Sequence, residues 1–145
     1  MNKEQILNFF NHFSALGSKE IFIFYIIIFF LLDLKQLSLK LLIGMILIYL
    51  IAIPIRYLYF KERPTKKQYK NILEKIDASS FPSMHSARTT FLLMTLTKFL
   101  NFEIKITIFL TLTWAIILYA RIYKKKHDYK DIIGGIILGL IPYLL

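Results

Sequence analysis

Five uncharged, strongly apolar runs divide this chain, and they restrict its fold more than any other feature. A helix that crosses a membrane needs about 20 mostly apolar residues. Each run is shorter than that, but each can extend into flanking residues whose lysine and arginine side chains reach the membrane surface. The runs occupy positions 21–32, 41–55, 89–97, 106–120 and 132–145.

The composition also indicates a membrane protein. Hydrophobic residues make up 57% of the chain and the mean hydropathy is +0.56, above the values of an average soluble domain. The alternative is a soluble bundle with a very apolar core, but its helices would need a polar face, and little polar surface lies between the loops. We therefore predict an all-α, polytopic membrane helix bundle that forms a single domain over residues 1–145. Its five transmembrane helices are predicted near 19–34, 38–59, 84–100, 103–122 and 129–145.

Two segments lie outside the predicted spans. Segment 1–18 mixes polar residues such as Lys3 and Glu4 with apolar ones such as Phe9 and Phe10, a pattern typical of an amphipathic helix on the bilayer surface. Segment 61–82 is the one long polar loop. The chain contains no cysteine, so it has neither a disulfide nor a thiolate site.

The formal net charge of +10 indicates which kind of partner the protein binds. Nucleic acid is a common partner of such basic proteins. Here the charges lie in loops between apolar runs, so membrane lipids and anionic substrates fit better. We expect a membrane setting and an anionic lipid substrate, and no nucleic-acid partner. The sequence predicts no oligomeric state.

Three short polar clusters lie between the apolar runs. Each falls at the end of a predicted helix, and with five crossings all three fall on the same membrane face. Each cluster alone is a weak signal, but all three in this order within 145 residues are a strong one. The clusters are Arg56-x6-Arg63-Pro64, Pro82-Ser83-Met84-His85 and Arg121-x5-His127-x3-Asp131.

Two histidines and a carboxylate in these clusters suit phosphoryl transfer. His127 and Asp131 are four residues apart at a helix start, so their side chains can share a face. A carboxylate that binds one ring nitrogen selects the tautomer and leaves the other nitrogen as a nucleophile. His85, near the start of the third predicted helix, could protonate the departing oxygen as a general acid.

The remaining polar residues are candidates for binding the phosphate and its headgroup. Guanidinium groups match phosphate oxygens with two parallel hydrogen bonds, and a hydroxyl adds a donor. Arginines at helix ends can instead be interfacial anchors, and a proline can simply start a helix. Those two alternatives explain neither the spacing of the residues within the clusters nor the position of all three clusters on one membrane face. The phosphate-binding candidates are Arg56, Arg63, Ser83 and Arg121, and the headgroup candidates are Lys124, Lys125 and Lys126.

These motifs resemble those of the type 2 phosphatidic acid phosphatase family, the membrane lipid phosphate phosphatases. The family pattern is Lys-x6-Arg-Pro, Pro-Ser-Gly-His and Ser-Arg-x5-His-x3-Asp, and the resemblance covers residues 56–131. It implies that His127 is the nucleophile, Asp131 its partner and His85 the general acid. It also implies that Arg63 and Arg121 bind the phosphate and that neither a metal nor another cofactor is needed.

Three positions depart from the family pattern. Arg56 stands in place of lysine, which keeps the positive charge but replaces an ammonium group with a planar guanidinium group. Met84 replaces glycine, and its side chain is expected to narrow the approach to the backbone or to contact the lipid. Ala120 replaces serine, which removes a hydroxyl donor. Many family members have six transmembrane helices, and this chain is similar to a minimal member. Its size and basic rim are those expected of a lipid A 1-phosphatase.

The predicted function is therefore an integral membrane lipid phosphatase that uses a phosphohistidine intermediate. The first substrate candidate is lipid A 1-phosphate, and undecaprenyl diphosphate, phosphatidylglycerol phosphate and phosphatidic acid are alternatives. Two other functions stay open. The phosphohistidine could pass its group to a second lipid, which would make the protein a phosphotransferase, or the basic face could serve a scaffold that binds anionic lipids.

Two arguments on orientation disagree. The face opposite the clusters carries only Lys35, Lys40, Lys98 and Lys105, so the positive-inside rule places the clusters in the cytoplasm. The family resemblance implies the periplasmic face of the bacterial inner membrane. We expect the periplasmic face, because the arginines of the clusters have a functional reason to be basic.

Overall fold

The computed structural model describes residues 2–145, and in that range all of the regular secondary structure is helical. The all-α prediction is therefore confirmed. The seven helices are α1 (Lys3–Ala15), α2 (Lys19–Leu31), α3 (Lys35–Leu58), α4 (Ile72–Ala78), α5 (Met84–Leu100), α6 (Ile104–Tyr123) and α7 (Tyr129–Leu144).

Five of these helices, α2, α3, α5, α6 and α7, lie where the sequence predicts transmembrane helices. By length and composition, α3 and α6 are each long and apolar enough to cross a membrane. The pair α1 and α2 passes the same test as one span that is bent by 45°. The shorter α7, with 16 residues, would extend about 24 Å at 1.5 Å per residue. That all five helices cross the bilayer stays a prediction.

The outer surface of the bundle is apolar, as a lipid-facing surface requires. Large side chains such as Leu58, Phe109 and Ile137 are more than half exposed. Exposed apolar area of this extent marks a surface that is covered by a partner or by lipid. The protein is therefore a membrane protein.

The core lies between α3, α5 and α7, and small residues let these helices approach closely. A Cβ atom on Gly44 of α3 would overlap the ring of Phe91 on α5. A Cβ atom on Gly139 of α7 would overlap the backbone carbonyl of Ala87 on α5. Close contact of this kind is how helices pack inside membranes. The glycines of α7 therefore serve packing within the bundle, which brings the starts of α5 and α7 together.

The N-terminal helix α1 packs against α6 through aromatic side chains. The ring of Phe10 lies 4.7 Å from that of Tyr123 and 5.6 Å from that of Tyr119, measured between centroids. A short turn, residues 16–18, then joins α1 to α2. That α1 lies on the bilayer surface stays a prediction. The contact between α1 and α6 was not predicted from the sequence.

The polar segment 61–82 is not entirely a loop, which corrects the sequence-based interpretation. Residues Ile72–Ala78 form the helix α4, and the side chain of Asn71 caps it by accepting a hydrogen bond from the backbone N–H of Glu74 at 2.8 Å. The seven-residue helix is too short to give a periodic signal that could be recognised in the sequence.

Candidate active site

The three polar clusters meet at one end of the bundle, around a cavity of about 630 Å³. Most of the predicted site residues contribute to its wall, although they come from four different parts of the chain. The predicted residues in the wall are Arg56, Arg63, His85, Arg121, Lys124, Lys126 and His127. Met84, the residue that departs from the family glycine, also lines the cavity.

His127 and Asp131 are in contact, as their spacing predicts. Asp128 caps the start of α7 by accepting from the backbone N–H of Asp131, and the Asp131 carboxylate accepts in return from the N–H of Asp128, each at 3.0 Å. This reciprocal cap turns the carboxylate back toward His127, so that Nδ1 of His127 lies 3.5 Å from Oδ2 of Asp131. Asp131 is fully buried, and His127 is nearly so.

Ser80 completes this pair, although its role was not predicted. Its hydroxyl donates a hydrogen bond to Oδ2 of Asp131 and lies 3.3 Å from Nδ1 of His127. Because the hydroxyl proton goes to the carboxylate, the hydroxyl oxygen can accept the proton on Nδ1. The lone pair of His127 is then on Nε2, the nitrogen that can serve as nucleophile.

Lys61 neutralises the buried carboxylate. Its Nζ donates to Oδ1 of Asp131 at 2.7 Å and to Oδ2 of Asp128 at 2.6 Å. Partial burial alone would lower the pKa of the Lys61 ammonium, but these two carboxylates outweigh it and raise the pKa. Lys61 is therefore charged at neutral pH, and it compensates the charge of Asp131.

Burial determines the protonation of His127. Burial, together with the nearby Arg121 and Arg63, lowers the pKa of the imidazole from 6.5 to about 4, although the contact with Asp131 opposes the change. At neutral pH the ring is therefore neutral. A neutral imidazole has the free lone pair that a nucleophile requires.

His85 lies in the first turn of α5, directly after the cap of that helix. The side chain of Ser83 caps α5 by accepting from the backbone N–H of Ser86 at 3.4 Å. The Ser83 backbone N–H donates to the carbonyl oxygen of Asp131 at 3.0 Å. This bond ties the start of α5 to the start of α7, which places the two histidines on the same cavity.

The three predicted arginines differ in how many of their donors are already bound. Arg56 donates to the carbonyls of Pro82 at 2.7 Å and Ile76 at 3.4 Å. Arg63 donates to the carbonyls of Ala78 at 3.1 Å and Asp77 at 2.7 Å. Both arginines therefore also bind carbonyls at the C-terminal end of α4, and Arg56 binds the segment that follows it. Arg121 donates only to the hydroxyl of Ser14, at 2.9 Å, and its buried Nε has no partner.

Three predicted residues do not line the cavity, and one of them is Asp131, which contacts His127 in the wall. The Ser83 side chain is fully buried, and its hydroxyl bonds to Ser86, so the structure places it in the helix cap and not in the cavity wall. The Lys125 side chain is exposed away from the wall, whereas its neighbours Lys124 and Lys126 contribute to it. Partial burial, and then the charge of Arg121, lower the pKa of Lys124 and of Lys126.

Other residues of the site were not predicted. Lys61 is one of the variable positions between Arg56 and Arg63, whereas Ser80 and Arg88 lie outside the three motifs. Residues of α1 and α2, among them Ser14 of α1, form one side of the cavity. The only signal for Lys61 and Ser80 was their position within or next to a motif, and Arg88 and Ser14 had no such signal. Across residues 2–145, no three His, Cys, Asp or Glu side chains are grouped to hold a metal ion. Metal independence stays a prediction.

Comparison with known proteins agrees with this geometry. The family model of the PAP2 superfamily matches residues 37–144. The crystal structure of Aquifex aeolicus LpxE has the same fold, with a TM-score of 0.74 at 23% sequence identity, over 99% of this chain and 88% of that chain. No curated protein sequence matches. Because the family model covers more than half of the chain and all three motifs, this membrane protein belongs to the PAP2 superfamily.

Proposed function

We propose that this protein is a membrane lipid phosphatase that acts through a phosphohistidine on His127. The observation that carries the proposal is the arrangement of that ring. Its Nδ1 faces Ser80 and Asp131, and His127 lines the same cavity as His85 and Arg121. A neutral ring with one nitrogen held by a hydroxyl and a carboxylate, and with the other nitrogen free, is a prepared nucleophile.

In the first step, Nε2 of His127 attacks the phosphorus and the bond from phosphorus to the lipid oxygen breaks. His85 gives a proton to that oxygen, which leaves as a lipid hydroxyl. The ring of His127 becomes cationic, and Asp131 stabilises it. Arg63 and Arg121 bind the equatorial oxygens, where charge accumulates in the transition state.

In the second step, water replaces the histidine. His85, now unprotonated, takes a proton from water while the water oxygen attacks the phosphorus. The bond between phosphorus and Nε2 breaks, and inorganic phosphate leaves. Both histidines then return to their starting states. If a lipid hydroxyl took the place of water, the same intermediate would make the protein a phosphotransferase.

Lipid A 1-phosphate is our first substrate candidate. The cavity of about 630 Å³ is larger than a phosphate group needs, and Lys124 and Lys126 line its rim. Lysines near the phosphate site favour a substrate with more than one negative group. Undecaprenyl diphosphate and phosphatidylglycerol phosphate share that property, whereas phosphatidic acid has a smaller headgroup.

Phosphate release by the purified protein in detergent tests this function. The panel holds lipid A, undecaprenyl diphosphate, phosphatidylglycerol phosphate and phosphatidic acid, each with EDTA present and each beside His127→Ala. We expect release that survives EDTA and is lost in the variant, with lipid A as the best substrate. A preference for phosphatidic acid would contradict the charge argument. Equal release by the variant would contradict the phosphohistidine.

We further propose a multi-pass position in a bacterial inner membrane, with the active site on the periplasmic face. If all five predicted helices cross, α7 begins on the active-site face and the C-terminus then lies in the cytoplasm. A reporter that is active only in the cytoplasm, fused after Leu145, should therefore be active. A reporter that is inactive there, on protein that is expressed at normal levels, would reverse the orientation.

A further inference from the structure

Arg88 is a buried arginine outside the three motifs. It lies on α5 one turn after His85, and only 4% of its surface is exposed. Its Nη2 donates to the backbone carbonyl of Gly17 at 2.9 Å, and its Nη1 donates to the hydroxyl of Tyr49 at 3.1 Å. Burying a guanidinium is costly unless its donors are satisfied. Arg88 therefore connects α5 with α3 and with the turn between α1 and α2.

The same guanidinium contacts the proposed general acid. Nη2 of Arg88 lies 3.4 Å from Nδ1 of His85. This contact limits the rotation of the His85 ring. It leaves Nε2 as the nitrogen that can exchange a proton with the lipid oxygen and then with water.

The turn at residues 16–18, which we call the elbow, packs directly onto this histidine. A Cβ atom added to Gly17 would lie 3.1 Å from Cδ2 of His85 and 2.9 Å from Cγ2 of Thr89. Such distances are too short for ordinary van der Waals contact, so only a glycine lets the elbow approach this closely. The backbone at Gly17 limits the ring of His85 on one side, and Arg88 holds its Nδ1.

We infer that Arg88 is a positioning residue for His85, and that with Gly17 it makes the elbow a working part of the active site. The inference rests on the proposed function, because the position of His85 matters only if that ring transfers a proton. It adds a role for the N-terminal helices, which contain none of the three motifs.

The test compares Arg88→Met, which removes the donors, with Arg88→Lys, which keeps the charge. Both are made in the wild-type and in the His85→Ala background, and each is assayed on the best lipid of the panel. We expect Arg88→Met to lower kcat about 10- to 100-fold, less than the roughly 100- to 10,000-fold that a general acid contributes, because the variant displaces His85 and does not remove it. KM should change less than about twofold, since ground-state binding is retained. Arg88→Lys should keep more activity than Arg88→Met.

The double variant decides how Arg88 acts. If Arg88 works through His85, adding Arg88→Met to His85→Ala should lower kcat by less than about twofold, because the two effects are not additive. A merely structural role would lower kcat equally in both backgrounds, and that result would overturn the inference. Thr97→Ala is the control, because Thr97 lies on α5 and its hydroxyl bonds only to carbonyls of its own helix.

A second variant covers the case in which Arg88→Met does not fold. Gly17→Ala leaves the arginine intact and moves the elbow away from His85. We expect a loss of kcat at unchanged KM, and no further loss in the His85→Ala background. A folded Gly17→Ala protein with the wild-type kcat would overturn the inference. If the wild-type protein releases no phosphate from any lipid, the proposed function fails, and the inference fails with it.

Discussion

Lys61 holds the buried carboxylate of Asp131, with its Nζ 2.7 Å from Oδ1 across a separation of 70 residues. The carboxylate is fully buried, whereas the lysine side chain is 24% exposed. A buried charge is tolerated only when a partner compensates it. The loop after α3 is thus attached to the start of α7 through the carboxylate that contacts His127, the proposed nucleophile.

Removing this ammonium should affect both stability and activity. We expect Lys61→Met to lower the free energy of unfolding by about 1–3 kcal/mol, because a buried carboxylate loses a charged hydrogen bond. The kcat should fall as well, while Lys61→Arg should retain both properties better. Thermal unfolding in detergent and phosphate release measure the two effects. The control is Lys66→Met, which breaks an exposed pair with Glu62 and should cost less than about 0.5 kcal/mol.

The hydroxyl of Ser80 should matter to catalysis. It lies between the Asp131 carboxylate and Nδ1 of His127, so Ser80→Ala leaves the ring less firmly oriented. We expect kcat to fall about tenfold, equivalent to about 1.4 kcal/mol, with KM unchanged. Steady-state kinetics on the preferred lipid would show this. An unchanged kcat would mean that His127 reaches Asp131 directly and that the serine has no part in the orientation.

Ser83 offers a test between the sequence-based prediction and its position in the structure. As a helix cap, its loss in Ser83→Ala should lower stability by about 1 kcal/mol and leave KM for the lipid unchanged. As a phosphate donor, its loss should raise KM or lower kcat instead. Thermal unfolding and steady-state kinetics on the same preparation distinguish these results, and a stable protein with a raised KM would favour phosphate binding.

The pH dependence should reflect the buried environment of His127. Burial and the neighbouring arginines lower its pKa from 6.5 to about 4, so the nucleophile stays neutral down to about pH 4. We expect the rate of histidine phosphorylation, measured by rapid quench in a single turnover, to fall only below about pH 5. A loss of rate centred near pH 6.5 would contradict this assignment.

The same pKa change affects stability. Between pH 6.5 and about 4, the unfolded chain binds a proton at His127 that the folded protein does not. The free energy of unfolding should therefore decrease as the pH falls through this range. Denaturation at several pH values measures this slope. Replacing His127 with Gln should reduce the slope, because the titrating group is then gone.

Local patterns in the sequence determined the helices and the contact between His127 and Asp131. The apolar runs predict five helices, all of which are present, because an apolar run must be buried or face lipid and a helix satisfies its own backbone. The spacing of His127 and Asp131 predicts their contact, because residues four apart lie on one face of a helix start. Such information is local, so the sequence alone is enough for it.

Contacts between distant segments were decided only by the tertiary structure. Ser80 and Lys61 reach Asp131 across 51 and 70 residues, and Arg88 reaches Gly17 across 71. No spacing rule connects such positions, because their distance depends on how the helices pack. The same packing brought α1 to the cavity. The sequence pattern thus determined the helices and the pair His127 and Asp131, and the packing of the helices determined which distant residues contact that pair.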